Sequence, residues 1–307
     1  MRTVLPFLIG LCLPLLAQAD YSRTYLESHP LYIAEVGDLN IAYRIVAPGP
    51  NKPKAVAIMG LGGSNVAWGD ALISGLADGG YEILLLDNRD TGASTRFDEW
   101  GQPILWWELL KYQFGFSVNA PYTLNDMGAD IAGLMEVTGY DSAHIIGASM
   151  GGMIAQVVAA QYPEKTRSLI SIMSTTNAPH LPPPTDEAEM NLRNLATGEA
   201  QNEREQTIRG RGFYPESMQR HLMAILKTGD RSDEVATIIA PTLVLHGVDD
   251  GLVPPEHGEH TASLIAGSRF LLIEGMAHNM PEDVIQLLVS EMTTHMDRTE
   301  GGPVAAR

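Results

Sequence analysis

The chain has 307 residues, of which 45% are apolar and 19% are charged; this ordinary globular composition excludes a largely disordered chain or a collagen-like fibre. Acidic residues outnumber basic ones by 37 to 20, the formal net charge is −17, and Lys and Arg form no cluster. We therefore expect neither nucleic acid nor an anionic membrane surface as a partner.

Residues 1–19 are predicted to be a signal peptide. Arg2 supplies the positive charge that opens such a segment, and residues 3–16 are apolar but too few to span a bilayer. Ala17 and Ala19 provide the small residues of a signal-peptidase site, so we expect cleavage after Ala19. The product would be periplasmic or secreted, without a stable membrane anchor. The alternative, a buried N-terminal helix, conflicts with two prolines in this stretch.

Cys12 is the only cysteine of the chain. A lipoprotein would use it as the lipid acceptor, but Leu11 stands before it where a small residue is required. If Cys12 leaves with the signal peptide, the mature protein has no disulfide, no thiolate nucleophile and no cysteine-ligated metal.

The rest of the chain alternates between short apolar runs and helix-length segments. Strands are predicted at residues 31–35, 39–46, 55–59, 82–86, 144–146, 169–173, 242–245 and 270–273. Helices are predicted between them at about 66–77, 126–138, 150–161, 256–265 and 281–296. This order indicates an α/β fold with a mostly parallel sheet covered on both faces. The first two strands flank Gly37 and Asp38, a hairpin signal, and should form an antiparallel edge.

Residues 177–237 interrupt this alternation. They contain no strong strand, include three consecutive prolines, and carry polar helical stretches at about 187–195 and 216–227. We predict a helical cap inserted into a core formed by residues 20–176 and 238–307.

Residues 100–120 are rich in aromatic side chains. Trp106, Trp107 and Phe114 are the candidates for binding substrate. An ordinary contribution to the hydrophobic core is an equally good interpretation of this segment.

The strongest chemical signal is the motif G-x-S-x-G, formed by Gly147, Ser149 and Gly151 after an apolar run. This spacing is typical of a sharp strand-to-helix turn, which needs small neighbours and exposes the serine hydroxyl above the sheet. The helix that begins at Met150 would direct its N-terminal N–H groups at an oxyanion. Ser149 is therefore the candidate nucleophile.

A serine nucleophile needs a base, and His278 is the best placed histidine. It follows the last predicted strand, at the sheet edge where open α/β folds place their sites. His144 begins a strand and should lie at the opposite edge, whereas His246 is expected to make a local turn contact. His257 and His260 have the spacing of a metal-binding pair, but no third ligand follows, so we predict no metal site.

The acid that orients the base should follow the strand predicted at 242–245. Asp249 and Asp250 both lie in the turn after it. With either one, the order along the chain would be serine, acid and then histidine, which is the order of a hydrolase triad. The pattern of residue types alone leaves both open.

Short blocks of the sequence resemble the α/β-hydrolase-fold serine hydrolases: residues 59–64, residues 87–94, the Ser149 turn, and the blocks around Asp250 and His278. The form of residues 87–94 is similar to the aclacinomycin methylesterase and proline iminopeptidase-like group. The resemblance implies an eight-stranded, mostly parallel sheet flanked by helices. It also implies that the acid is Asp250, within Gly-x-x-Asp-x-x-x-Pro, and that the backbone N–H groups of Leu61 and Met150 form the oxyanion hole.

The same resemblance implies a carboxylic ester hydrolase that works through an acyl-enzyme, without a cofactor. The expected partner is a small-molecule ester with an apolar part. Two other functions stay open: an aminopeptidase similar to proline iminopeptidase, and a non-hydrolytic ligand-binding protein of the same fold. One departure from the family pattern is Met59, which stands where many relatives have histidine before the first loop glycine.

Overall fold

The computed structural model describes residues 22–188, 190 and 209–301. The predicted signal peptide, its cleavage site and Cys12 lie outside these residues. Within the described ranges, no helix combines the length and the apolar character needed to cross a membrane.

A single eight-stranded sheet forms the centre of the molecule. Its strands are β1 (Tyr32–Val36), β2 (Leu39–Val46), β3 (Lys54–Ile58), β4 (Glu82–Leu86), β5 (Ala143–Ala148), β6 (Thr166–Ile172), β7 (Thr242–Gly247) and β8 (Arg269–Ile273). They are arranged in the order β1-β2-β4-β3-β5-β6-β7-β8. β2 is antiparallel to both of its neighbours, and all other pairs are parallel. The predicted eight-stranded, mostly parallel sheet with an antiparallel edge is confirmed.

Helices surround this sheet. Those that lie wholly within the described residues are α1 (Thr24–Glu27), α2 (Asp70–Asp78), α3 (Leu105–Gln113), α4 (Leu124–Val137), α5 (Met150–Gln161), α6 (Pro215–Thr228), α7 (Ser232–Val235), α8 (Pro255–Leu264) and α9 (Glu282–Thr299). The helix predicted at 66–77 is divided, because a 3₁₀ turn at Asn65–Trp68 precedes α2. α3 lies in the aromatic segment and was not predicted as a helix.

Two hydrophobic layers cover the two faces of the sheet. Alternate residues of β3 face opposite layers: Val56 and Ile58 pack with α4 and α5, whereas Ala55 and Ala57 pack with α2 and α9. Strands buried on both faces read as continuous apolar runs, which explains why their sequences do not alternate with polar residues.

The chain between β6 and β7 contains α6 and α7. The predicted helix at 216–227 corresponds to α6, and the one at 187–195 lies mostly outside the described residues. The division into a core and a cap at residues 177–237 stays a prediction. We refer to residues 177–237 as the insertion.

The parallel direction of β3, β5, β7 and β8 brings their carboxyl ends to one edge of the sheet. The loops that follow these four strands carry the predicted oxyanion donor Leu61, the nucleophile Ser149, the acid Asp250 and the base His278. Residues far apart in the sequence can therefore meet at this edge.

Candidate active site

Ser149 occupies a strained turn between β5 and α5. Its backbone has φ 56° and ψ −123°, a conformation with positive φ that residues other than glycine rarely adopt. The turn is held by a hydrogen bond of 2.9 Å from the Ser149 N–H to the carbonyl of Ile172. The hydroxyl of Ser174 also donates to the Ser149 carbonyl at 2.8 Å. These contacts fix the position of the serine hydroxyl above the sheet.

The two outer glycines of the motif are required by close backbone packing. A Cβ at Gly147 would lie 2.1 Å from the carbonyl oxygen of Gly151, and a Cβ at Gly151 would lie 2.0 Å from that of Ile58. Both distances are far shorter than a van der Waals contact, and the atoms in contact are backbone atoms that cannot move aside. The spacing of G-x-S-x-G therefore follows from how tightly α5 begins against β3 and β5.

A continuous chain of hydrogen bonds joins the three predicted triad residues. Nδ1 of His278 lies 2.8 Å from Oδ2 of Asp250. Because an ionised carboxylate can only accept, this nitrogen carries the hydrogen. Nε2 of His278 lies 2.9 Å from Oγ of Ser149 and is left to accept the hydroxyl proton. The geometry is that of a nucleophile, a base and an orienting acid.

Asp250 is the member of the Asp249–Asp250 pair that reaches the histidine. It is buried, whereas Asp249 is exposed. Its Oδ1 accepts the backbone N–H groups of Leu252 at 3.0 Å and Val253 at 2.9 Å, which directs Oδ2 at His278. The loop thus provides a carboxylate of fixed orientation.

Several donors keep Asp250 ionised. Burial raises the pKa of its carboxyl group, but hydrogen bonds from His246, His278 and the Val253 N–H outweigh burial and hold the pKa below its ordinary value. Nε2 of His246 lies 3.4 Å from Oδ2 of Asp250 and 2.7 Å from the carbonyl oxygen of Val253. The carboxylate can therefore stabilise a positive charge on His278.

The loop after β3 lies directly over Ser149. A Cβ at Gly60 would be 2.9 Å from the Ser149 Cβ. The Gly63 N–H bonds to the Gly60 carbonyl at 3.0 Å, and Gly62 has a φ of +66°, which together form the pattern of a type II turn. Leu61 is the first central residue of this turn, so its N–H is not used by the hydrogen bond that closes it.

Met150, the other predicted oxyanion donor, is the first residue of α5. The first N–H groups of a helix have no acceptor within the helix, and they lie at the positive end of its dipole. Met150 directly follows Ser149, the position from which one of the two oxyanion donors comes in this arrangement.

The three predicted substrate-binding residues lie on the exposed part of the aromatic segment. Trp106 and Phe114 are each 69% exposed, and Trp107 is 48% exposed. The two tryptophan rings contact each other edge to face, with centroids 5.8 Å apart. They therefore do not form a closed pocket in this structure, and their role in binding substrate stays a prediction.

With this geometry established, a comparison with known proteins identifies the family. A family model for the alpha/beta hydrolase fold matches residues 56–213, which include the loop after β3 and the Ser149 turn. The chain belongs to the α/β-hydrolase fold family. The resemblance predicted from the sequence is thus confirmed, and we describe the protein below as an α/β hydrolase.

Two relatives and one solved structure illustrate the similarity of this α/β hydrolase to known proteins. It is 24% identical to the rhodomycin D methylesterase DauP of Streptomyces sp. (strain C5), over 80% of this chain and 93% of the relative. It is 25% identical to a candidate carbamate hydrolase, RutD, of Caulobacter sp. (strain K31), over 71% of this chain and 81% of the relative.

A crystal structure of a hydrolase from Pseudomonas aeruginosa PA01 aligns with a TM-score of 0.63 at 21% identity, over 89% of this chain and 98% of that one. At this identity, the alignment shows a shared fold. The family model and the two relatives above identify the chain as a hydrolase of this fold.

Three other histidines, His144, His257 and His260, have hydrogen-bond partners outside the predicted triad. His144 is buried in β5, where Nδ1 lies 2.8 Å from the Ser168 hydroxyl, and burial lowers its pKa to about 4. His257 contacts the Thr175 hydroxyl at 2.7 Å, and His260 contacts the Ser232 hydroxyl at 3.2 Å. Among the described residues, no three His, Cys, Asp or Glu side chains are grouped so that they could hold a metal ion.

Two histidines near the site have structural roles that the sequence did not reveal. His246 was expected to make a local turn contact, and it does so through Val253, but it also supports Asp250. His221 of α6 accepts a hydrogen bond from the N–H of Gly62 in the loop after β3, although the two residues are 159 positions apart in sequence. Spacing cannot reveal such a contact, because it depends on how the insertion packs over the loop after β3.

Proposed function

We propose that this α/β hydrolase is a serine carboxylesterase that cleaves its substrate through an acyl-enzyme. The observation that carries the proposal is the hydrogen-bonded chain from Ser149 through His278 to Asp250. Ser149 is the nucleophile, His278 the general base and acid, and Asp250 the group that orients His278. A hydroxyl is a weak nucleophile at neutral pH, and such a chain supplies the base that it lacks.

In the first step, Oγ of Ser149 attacks the ester carbonyl carbon while its proton passes to Nε2 of His278. The carbonyl oxygen becomes an oxyanion, which we propose is held by the N–H groups of Leu61 and Met150. The positive charge on His278 faces the Asp250 carboxylate. When the tetrahedral intermediate collapses, the ester C–O bond breaks and His278 returns the proton to the leaving alcohol.

In the second step, water attacks the acyl group on Ser149 and gives a proton to His278. The same two N–H groups would hold the second oxyanion. His278 then returns the proton to Oγ as the carboxylic acid leaves, which restores the free enzyme. Apart from the ester and water, every group in this cycle belongs to the chain itself.

The proposed substrate is a small ester with an apolar part. Similarity to a methylesterase supports the choice of methyl esters among the first compounds to be tested. We propose that the aromatic segment around Trp106 and Phe114, with the insertion acting as a cap, contacts the apolar part of the substrate. A series of p-nitrophenyl esters of increasing acyl length tests this, since a sharp preference for acetate would contradict a large apolar site.

We also propose that the enzyme acts outside the cytoplasm, in the periplasm or as a secreted protein. The proposal rests on the sequence of residues 1–19, with cleavage after Ala19. N-terminal sequencing of the protein recovered from cell fractions tests it. Protein that still carries residues 1–19 and is recovered from the cytoplasmic fraction would contradict export.

An aminopeptidase would need acidic side chains that are free to bind a substrate amine. Glu216, an acidic residue of α6, is instead paired with Arg209 at 3.0 Å and Arg96 at 3.3 Å. This pairing counts against Glu216 as the group that binds an amine, and the esterase is the function that we propose. Turnover of proline p-nitroanilide in preference to esters would reverse that choice.

The experiment that tests the proposed function compares purified wild type with Ser149→Ala on activated esters. We expect kcat to fall by about 10³-fold or more, since the nucleophile is lost while the turn remains. Ser263→Ala removes an exposed serine hydroxyl that bonds to the His260 carbonyl, and this control should retain wild-type turnover. Turnover by Ser149→Ala close to that of wild type would refute the esterase, and absence of turnover in the wild type across the panel would favour the non-hydrolytic alternative.

A further inference from the structure

The loop after β3, which carries Leu61, is held by the insertion as well as by the sheet. The N–H of Ser64 bonds to the carbonyl of Gly212 at 2.8 Å, and the N–H of Tyr214 bonds to the carbonyl of Gly62 at 2.7 Å. Gly63 and Phe213 also form an antiparallel β-bridge. The segment that leads into α6 therefore pairs with the loop that carries Leu61.

His221 adds a side-chain contact to this pairing. It is fully buried in α6, and its Nδ1 lies 3.1 Å from the backbone nitrogen of Gly62. Its Nε2 lies 3.1 Å from the carbonyl oxygen of Arg89. A carbonyl only accepts, so Nε2 carries the hydrogen and Nδ1 presents a lone pair to the Gly62 N–H. Burial lowers the pKa of His221 to about 4, so the ring is neutral at physiological pH and Nδ1 remains an acceptor.

The position of α6, and hence of His221, is fixed by an ion pair next to it in the chain. Arg220 donates from Nε and Nη2 to the two carboxylate oxygens of Asp90, at 2.5 Å and 2.7 Å. Both side chains are buried, and the Tyr122 hydroxyl donates to the same carboxylate at 2.8 Å. The imidazole is therefore attached to a helix that can move little relative to the loop after β4.

The contact at Gly62 bears on Leu61 through the position of the turn. Turn types I and II have the same φ at the first central residue, so rotation of the Leu61–Gly62 peptide group leaves the direction of the Leu61 N–H relative to the preceding chain nearly unchanged. What places this N–H is the position of the whole turn, which lies directly over Ser149. Gly62 is the residue next to Leu61, so an acceptor that holds its N–H restricts how far Leu61 can move from Ser149.

We propose that His221 is a positioning residue for the oxyanion hole, which holds the turn at Leu61–Gly62 in place over Ser149 so that the Leu61 N–H reaches the substrate oxygen. This inference rests on the proposed esterase function. His221 acts through the backbone and contacts no reacting atom. It also links the insertion to transition-state stabilisation, since α6 supplies the acceptor.

Two substitutions separate the two hydrogen bonds of the imidazole. In His221→Asn, the amide oxygen can occupy the place of Nδ1 and accept from the Gly62 N–H, but the side chain cannot reach Arg89. In His221→Gln, the amide nitrogen can occupy the place of Nε2 and donate to Arg89, but no acceptor faces Gly62. Each variant keeps one bond of the imidazole and loses the other, so they should be destabilised to a similar extent.

We expect His221→Gln to lower kcat by at least about 10-fold, with KM within about twofold of wild type, because a displaced oxyanion donor weakens transition-state binding alone. His221→Asn should retain kcat within about threefold. His295 serves as the control: it is buried in α9 and bonds to the Pro241 carbonyl before β7, away from the site. His295→Gln and His295→Asn should have equal kcat values.

Equal kcat values for His221→Gln and His221→Asn, or an effect on KM alone, would overturn the inference while leaving the esterase intact. Failure of wild type to hydrolyse esters would instead refute the proposed function, and the inference with it. If neither variant folds, the inference is tested by ¹⁵N NMR of wild type in which the histidines are labelled with ¹⁵N. The unprotonated Nδ1 resonance of His221 should shift when a fluorophosphonate occupies Ser149, and an unchanged resonance would contradict the proposal.

Discussion

Replacement of Asp250 by asparagine tests the orienting role that we propose for this residue. The substitution preserves shape but converts one carboxylate oxygen into an NH₂ group. Oδ1 accepts two backbone N–H groups, from Leu252 and Val253. An amide with its nitrogen on that side would leave both donors unpaired, at a cost of about 1–3 kcal/mol each. The amide oxygen should therefore take the place of Oδ1, and the NH₂ group should face His278.

This orientation reverses the hydrogen bond to the base. A donor facing Nδ1 requires His278 to carry its hydrogen on Nε2, which then donates to Ser149 and cannot accept the hydroxyl proton. Loss of the correct tautomer in a serine triad costs on the order of 10⁴-fold in kcat. That loss corresponds to about 5 kcal/mol in the activation free energy.

The assay is ester hydrolysis at neutral pH by wild type, Asp250→Asn and Asp249→Asn. The last is the matched control, because Asp249 is adjacent but exposed. We expect the control to stay within about twofold of wild type and Asp250→Asn to lose at least about 10³-fold in kcat. A loss below 10-fold in folded Asp250→Asn, or an equal loss in both variants, would refute the role assigned to the acid.

Two further predictions concern stability. Gly151→Ala places a Cβ 2.0 Å from the Ile58 carbonyl oxygen, so we expect the free energy of unfolding to fall by about 3 kcal/mol or more, measured by urea denaturation; an unchanged midpoint would mean that the start of α5 can shift freely. Interactions in the fold hold the pKa of Asp250 below its ordinary value, so its ionised form stabilises the protein above about pH 4, and this contribution is lost as the pH falls towards the folded-state pKa. The stability difference between wild type and Asp250→Asn should therefore shrink as the pH falls below about pH 4, and a difference that grows in that range would contradict the sign of the shift.

The sheet and the turn at Ser149 could be predicted because both depend on local sequence. Buried parallel strands are continuous apolar runs, and the turn at Ser149 needs glycines at fixed spacing for steric reasons that the structure bears out. The acid was less certain. Asp249 and Asp250 are equivalent by pattern, and only family resemblance distinguished them.

α3 was missed because its apolar side chains are exposed and a charged one is buried, which is the opposite of an ordinary amphipathic helix. The one buried residue of α3 is Glu108, which accepts from Lys111 and from the Asn119 backbone. Trp106 and Trp107 point towards solvent instead. A search for an apolar face therefore fails on this segment.

Contacts to the insertion could not be predicted for a different reason. The bond between His221 and Gly62 joins two elements whose separation in sequence says nothing about their approach in space. The ion pair of Arg220 with Asp90 spans 130 positions and depends on the same packing. Pairings of this kind follow from the tertiary arrangement rather than from any periodic signal.

The central claim is that Ser149 is activated by His278, and covalent labelling tests it most directly. The protein is treated with a fluorophosphonate, and the adduct is located by peptide mass spectrometry in wild type and in His278→Ala. We predict one adduct per chain, on Ser149, forming at least about 100-fold more slowly without the imidazole. A wild-type protein that remains unlabelled, or that is labelled at another residue, would contradict the account.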